Sequence, residues 1–190
     1  MDNHKTALTS ESVSLKGSTI FIAGVYGSGK STMCSTLSEM LHIPAFSASD
    51  LISAINHEQY GANKAVSDKN NNQVLLAERV SQLTQENERI ILAGHFCIFN
   101  ADNDVAVLPE SVYPALNISR IILLEADIQT IISNLRHRDG KNYPAKSVSV
   151  LIEKEREQSK QIAKQLNCPL NIYKMTFTDK DSEYVVSLLR

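Results

Sequence analysis

The residues best suited to chemistry lie in one short stretch, GVYGSGKS, at positions 24–31. Gly24, Gly29, Lys30 and Ser31 satisfy the spacing G-x-x-x-x-G-K-[ST], and Gly27 adds a glycine inside it. Such glycines let the backbone turn so that its N–H groups converge on phosphate oxygens. A helix starting just after the loop adds a partial positive charge to the same spot. Lys30 is expected to reach the β- and γ-phosphates as a mobile point charge, and the Ser31 hydroxyl to coordinate Mg²⁺. Gly24, Gly27, Ser28, Gly29, Lys30, Ser31 and Thr32 therefore read as a cradle for a nucleoside triphosphate, with ATP and Mg²⁺ as the implied cofactors.

A second set of charges lies in LRHRDGKNYP, where Arg136, Arg138 and Lys141 are read as part of a mobile loop. An arginine that closes over the γ-phosphate neutralises charge that develops during phosphoryl transfer. The same residues would also complement a helix C-terminus, and Lys141 ranks last among them. On the acceptor side the candidates are Ser49 and Asp50 in FSASDLI and His95 in AGHF. Each follows an apolar run, and acceptors bind beyond the carboxyl ends of parallel strands. Asp50 equally suits an N-cap, and a lone histidine equally suits a structural role.

These residues need elements to position them. The runs 19–23, 89–94 and 119–127 are almost wholly apolar, as strands buried on both faces should be, and 44–46 and 170–174 add two more. Helical spacing appears at 32–41, 50–56, 74–83, 147–166 and 180–189. Ile128, Ile131, Ile132 and Leu135 recur at i, i+3, i+4 and i+7, with Asp127 placed as their N-cap. Residues 59–73 are too polar for a core, and NADNDVAVLPES between two of the strands reads as a polar loop. Strands alternating with amphipathic helices imply an α/β fold around a parallel sheet. The apolar stripe of 147–166 is interrupted by Glu155 and Ser159, which are expected to face a wet cleft rather than to find buried partners.

Composition narrows the classes. A chain of 190 residues with 43% hydrophobic content is read as one domain with one core. A net charge of −2 with no basic stripe argues against nucleic acid as a partner. Cys34, Cys97 and Cys168 lack C-x-x-C spacing and read as reduced thiols rather than as a zinc site. No apolar run reaches the roughly 20 residues of a membrane span, and residues 1–17 are expected to be a flexible polar segment without a secretory signal. A soluble cytoplasmic protein is the resulting expectation.

The order of SASDLI, ILAGHF, LPESVYPALNISRIILLEAD and LRHRD behind the glycine-rich loop carries a resemblance. From about residue 19 to 174 the chain resembles the adenylate kinase branch of the P-loop kinases, most closely archaeal-type adenylate kinases and related bacterial ATP-binding proteins. That resemblance implies a three-layer P-loop NTPase fold of nucleoside monophosphate kinase type, with a five-stranded parallel sheet in a single domain over 18–190. It also implies an acceptor-binding helical segment at about 49–83 and a lid at about 137–146. The implied reaction moves the ATP γ-phosphoryl group to a small acceptor, foremost a nucleoside monophosphate.

The chain departs from that pattern at two places. Ala93-Gly94 stands where these kinases commonly carry Asp-Gly, so an acid that holds a magnesium-bound water is missing. Ser53 and Cys97 stand near the usual positions of two phosphate-clamping arginines, and Lys64, Lys69 or Arg79 are the available substitutes. A nucleoside or other small hydroxyl compound is therefore the alternative acceptor, with Asp50 as the base, as in shikimate kinase and its relatives. A regulatory ATP-binding module and a polynucleotide 5′-kinase remain as further classes. The charge balance counts against the last.

Overall fold

The computed structural model describes residues 17–60, 69–100 and 102–190. The readings made for residues 1–16 and for Lys64 lie outside them. In chain order the elements are β1 (Ser18–Ala23), α1 (Lys30–Leu41), β2 (Ala45–Ser47), α2 (Ala48–Tyr60), α3 (Lys69–Glu86), β3 (Arg89–Gly94), β4 (Cys97–Phe99) and β5 (Val105–Val107). A 3₁₀ helix (Glu110–Leu116) follows, then β6 (Ile118–Glu125), α4 (Ile128–Asp139), α5 (Ala145–Leu166), β7 (Leu170–Lys174) and α6 (Asp179–Leu189).

The main sheet has five strands in the order β2-β3-β1-β6-β7, all parallel. Alternation along the strands divides the core. Phe21, Leu92 and Leu123 face one layer with Val80, Leu135 and Leu151, while Ile22, Ile91 and Ile122 face the other with Leu37 and Val185. Both faces are covered by helices, which is why the strand sequences read as continuous apolar runs. Ile22 has no exposed surface, and truncating such a residue to alanine costs about 2–5 kcal/mol. This is the α/β P-loop NTPase fold expected from the sequence. None of the described helices is long and apolar enough to cross a membrane.

Three readings change. The stretch taken as a polar loop after β3 contains β5, which pairs antiparallel with β4 through Cys97↔Val107 and Phe99↔Val105. Three-residue strands offer too short a pattern to register as periodicity. Asp127 does occupy the N-cap position of α4, but it makes no side-chain capping hydrogen bond; its carboxylate meets Lys174 Nζ at 2.8 Å instead. Arg136 and Arg138 are not on a loop, because α4 runs on to Asp139. Gly140 closes the helix in the left-handed conformation (φ 68°) and donates its N–H to the Arg136 carbonyl at 2.9 Å. The region read as a lid is thus divided between the last turn of α4, the connection 140–144 and the first turn of α5.

Candidate active site

The glycine-rich loop leaves the carboxyl end of the central strand β1, with β3 and β6 on either side. Gly29 holds φ 89°, a left-handed conformation that side chains resist, directly before the first residue of α1. Gly24 is required for a different reason: a Cβ there would lie 2.6 Å from the Leu124 carbonyl oxygen. Lys30 folds back over the loop and donates through Nζ to the carbonyls of Gly24 (2.7 Å) and Val25 (2.8 Å). Burial lowers its pKa, and the neighbouring Glu155 charge opposes that shift.

One cavity of about 780 Å³ opens over this loop. Gly27, Gly29, Lys30, Ser31 and Thr32 line it, as do Ser49, His95 and Arg138. Gly24 and Ser28, also expected to hold phosphate, are not in its lining. The Gly24 N–H is already committed to Glu155, and Ser28 is fully buried with its hydroxyl unpartnered among the described residues. Those two residues shape the loop from behind.

Glu155 is the residue that the sequence reading placed wrongly. It is 1% exposed and faces no wet cleft. Its Oε1 accepts the N–H of Gly24 at 3.2 Å, and its Oε2 accepts those of Phe96 and Cys97 at 3.0 and 2.7 Å. Backbone donors just beyond the ends of β1 and β3 have run out of strand partners, and a buried donor left unsatisfied costs about 1–3 kcal/mol. The carboxylate satisfies them together. Burial raises its pKa, while these N–H groups and Lys30 pull it back down. Ser159, one turn further along α5, is likewise buried and donates to the Arg156 carbonyl at 2.8 Å. An acid in the middle of an apolar stripe was the available signal for a buried partner.

From α4, Arg138 reaches back across the loop. Its guanidinium carbon lies 5.0 Å from the centroid of the Tyr26 ring, a cation–π contact, and Nη2 pairs with Asp139 at 2.8 Å. Asp139 also accepts the Tyr143 hydroxyl, and the Arg138 and Tyr143 hydrogen bonds hold its pKa below the usual range. Arg136 is exposed and outside the cavity lining. Asn134, not singled out from the sequence, donates its Nδ2–H to the Gly27 carbonyl at 2.8 Å and lines the cavity. It stands four residues before Arg138, so one helical face serves both, a spacing that was open to reading.

His95 sits at the seam between the loop and the far chamber. Its ring lies 4.3 Å from that of Tyr26, its carbonyl accepts the Tyr113 hydroxyl at 3.0 Å, and its buried Nδ1 has no partner among the described residues. Burial, and then the Lys30 charge, lower its pKa to about 3, so the imidazole is neutral. Beyond it the chamber is walled by Phe21, Leu76, Val112 and Leu116, with Asn72 and Gln73 from α3 as polar groups. Ser49 lines the chamber mouth with its hydroxyl 2.9 Å from that of Ser47. Asp50 is exposed in the first turn of α2, donates its N–H to Ser47 Oγ at 3.5 Å, and is not part of the lining.

No carboxylate lines the cavity among the described residues, and no cluster of His, Cys, Asp or Glu among them could hold a metal by itself. The donor set still suits a magnesium ion carried by a triphosphate, since Mg²⁺ takes phosphate oxygens and waters plus one or two protein oxygens. Ser31, exposed on the first turn of α1 and in the lining, is the residue placed to give that oxygen. Among the alternatives to the clamping arginines, Arg79 bonds Gln82 on the exposed surface and is not in the lining.

The family model for an AAA domain (AAA_17) matches residues 23–151. No curated protein matches the chain. Solved structures share its fold at low identity. A gluconokinase from Sinorhizobium meliloti 1021 aligns at TM-score 0.54 and 14% identity, covering 92% of this chain and 93% of its own. A sugar kinase from Janibacter sp. HTCC2649 aligns at TM-score 0.59 and 14% identity, covering 91% and 94%. A candidate kinase from Chloroflexus aurantiacus aligns at TM-score 0.60 and 15% identity, covering 92% and 97%.

Proposed function

The chain belongs to the AAA domain family AAA_17, and from that premise we propose that it transfers the terminal phosphoryl group of ATP to a small acceptor. The observation that carries this reading is the single cavity joining Lys30, Ser31 and Arg138 to a chamber between α2, α3 and the β4–β5 hairpin. A nucleotide switch has no use for a second chamber open to the terminal phosphate. The gluconokinase and sugar kinase that share the fold support small-molecule phosphotransfer as its class.

Lys30 leaves its two carbonyl partners to meet the β- and γ-phosphates, and Arg138 is placed to neutralise charge on the transferring group. Ser31 would help hold a magnesium ion carried by the triphosphate, and that ion would supply further charge neutralisation. Neutral His95 lines the same cavity between the loop and the chamber, with its Nδ1 buried. The apolar chamber wall favours an acceptor with a planar ring over a polyhydroxy sugar, whose every buried hydroxyl would need a partner. The cations that line the cavity among the described residues, Lys30 and Arg138, both stand by the glycine-rich loop. We therefore rank a nucleoside-like hydroxyl acceptor first. A nucleoside monophosphate is the second reading, favoured by the order of segments shared with adenylate kinases. Asp50 is next in the chain to Ser49 but exposed and outside the lining, so acting as base in the first reading would require α2 to turn it toward the bound acceptor.

Transfer from γ-labelled ATP to a panel of nucleosides, nucleoside monophosphates, sugars including gluconate, and oligonucleotides tests the proposal. A labelled small-molecule product supports it. ATP hydrolysis alone, with no acceptor labelled across the panel, would favour the regulatory module.

A further inference from the structure

We propose that Glu155 is a positioning residue that couples the phosphate cradle to the acceptor chamber, so that nucleotide on the loop sets the geometry of the corner carrying His95. The proposal rests on the kinase reading above.

Glu155 belongs to neither segment that it binds. It comes from α5 and accepts one N–H from Gly24, at the start of the glycine-rich loop, and two from Phe96 and Cys97, at the corner between β3 and β4. In the sheet, Ala23 of β1 and Gly94 of β3 are partners, so the two segments leave its carboxyl edge side by side. Past that edge the ladder of backbone hydrogen bonds stops. The carboxylate takes over as the bridge, and charge-assisted bonds of this kind are roughly twice as strong as neutral ones.

His95 is held between the two segments. Its carbonyl is fixed by Tyr113, and the next two N–H groups are fixed by Glu155. Its ring rests on Tyr26 of the loop. Cys97 then opens β4, and Ile98, Ala106 and Val107 of the hairpin line the chamber. When Gly24 moves as the loop closes on phosphate, the carboxylate moves with it, and the corner follows.

Amide hydrogen exchange of residues 96–99 and 105–107 in the full chain tests this, without and with saturating Mg²⁺ and the ATP analogue AMPPNP. Calorimetry on the same samples reports nucleotide binding. In the wild type, nucleotide should slow exchange in the hairpin about threefold or more. Glu155→Gln keeps the side-chain volume but turns an amide N–H₂ towards backbone donors. That variant should still bind AMPPNP at saturation, with no change in hairpin exchange. A wild-type response in Glu155→Gln would overturn the proposal, as would a wild-type hairpin indifferent to bound nucleotide. If Glu155→Gln does not fold, Glu155→Asp keeps the charge and withdraws it by one methylene; a reduced hairpin response is expected, and a full one overturns the proposal. Calorimetry showing no nucleotide binding to the wild type would overturn the kinase reading itself, and the coupling with it.

Discussion

Arg138 lies with its guanidinium carbon 5.0 Å from the centroid of the Tyr26 ring, which draws the last turn of α4 over the middle of the glycine-rich loop. Arg136, two residues earlier, stays exposed and outside the cavity. The two arginines should therefore differ in kinetics. Arg138→Ala should lower kcat by about 10³-fold or more while the KM for ATP changes little, because the lost interaction forms mainly in the transition state. Arg136→Ala should stay within about threefold of wild type on both parameters. Steady-state kinetics with the acceptor identified by the labelling panel compares them. Near wild-type kcat in Arg138→Ala would return that residue to a helix-capping role.

Lys30→Ala should remove turnover and weaken Mg-ATP binding at least about tenfold, the scale of one lost charge-assisted contact to phosphate. Its Nζ partners, the Gly24 and Val25 carbonyls, belong to buried residues and would lose that donor, at about 1–3 kcal/mol for a carbonyl left unsatisfied, so the thermal midpoint should also fall by several degrees. Isothermal titration with ATP and differential scanning calorimetry give the two numbers. Undiminished affinity would take the lysine out of the site.

His95 gives the protein a pH dependence of known sign. Its folded pKa is lowered to about 3, by burial first and the Lys30 charge second, against about 6.5 in the unfolded chain. Between those values the unfolded state binds more protons, so the stability held above pH 6.5 is lost as pH falls towards 3. The raised carboxyl of Glu155 acts in the opposite direction over part of this range. The difference between variant and wild type separates them. From pH 7.5 to pH 5, wild type should lose about 1–2 kcal/mol more in urea unfolding than His95→Gln. Equal losses would mean that the imidazole accepts a proton in the folded state.

Asp50→Asn distinguishes the two acceptor chemistries. The carboxylate is exposed on the first turn of α2, so the substitution should leave folding intact. With a hydroxyl acceptor, loss of a general base should lower kcat by about 10²–10⁴-fold without changing ATP affinity. With a monophosphate acceptor the attacking oxygen is already ionised, and the variant should change mainly the acceptor KM. A wild-type pH–rate profile with an acidic limb that vanishes in Asp50→Asn supports the hydroxyl reading. An unchanged kcat with a nucleoside acceptor would remove Asp50 from the chemistry.

The chain's local chemistry was enough to read the loop and the sheet. Gly24, Gly29, Lys30 and Ser31 are close in sequence, and their function depends on the order of glycines between a strand and a helix, which is a local property. The strands showed because burial on both faces leaves unbroken apolar runs such as Ile20–Ala23. Arg138 was expected on a mobile loop, and it does line the cavity. Its support was misjudged, because Gly140 in the left-handed conformation extends α4 past it instead of opening a loop before it.

What only the tertiary structure decided concerns donors and acceptors that meet from distant parts of the chain. Glu155 looked like a flaw in an amphipathic stripe, and its partners Gly24, Phe96 and Cys97 belong to other elements. Periodicity tells which way a side chain faces, but not which backbone N–H groups the sheet has left unpaired there. The same limit hid Asn134 on the Gly27 carbonyl and left Asp50 outside the cavity that Ser49 enters. A buried carboxylate is stable only where several donors converge, and in this protein that convergence exists only after β1 and β3 lie side by side.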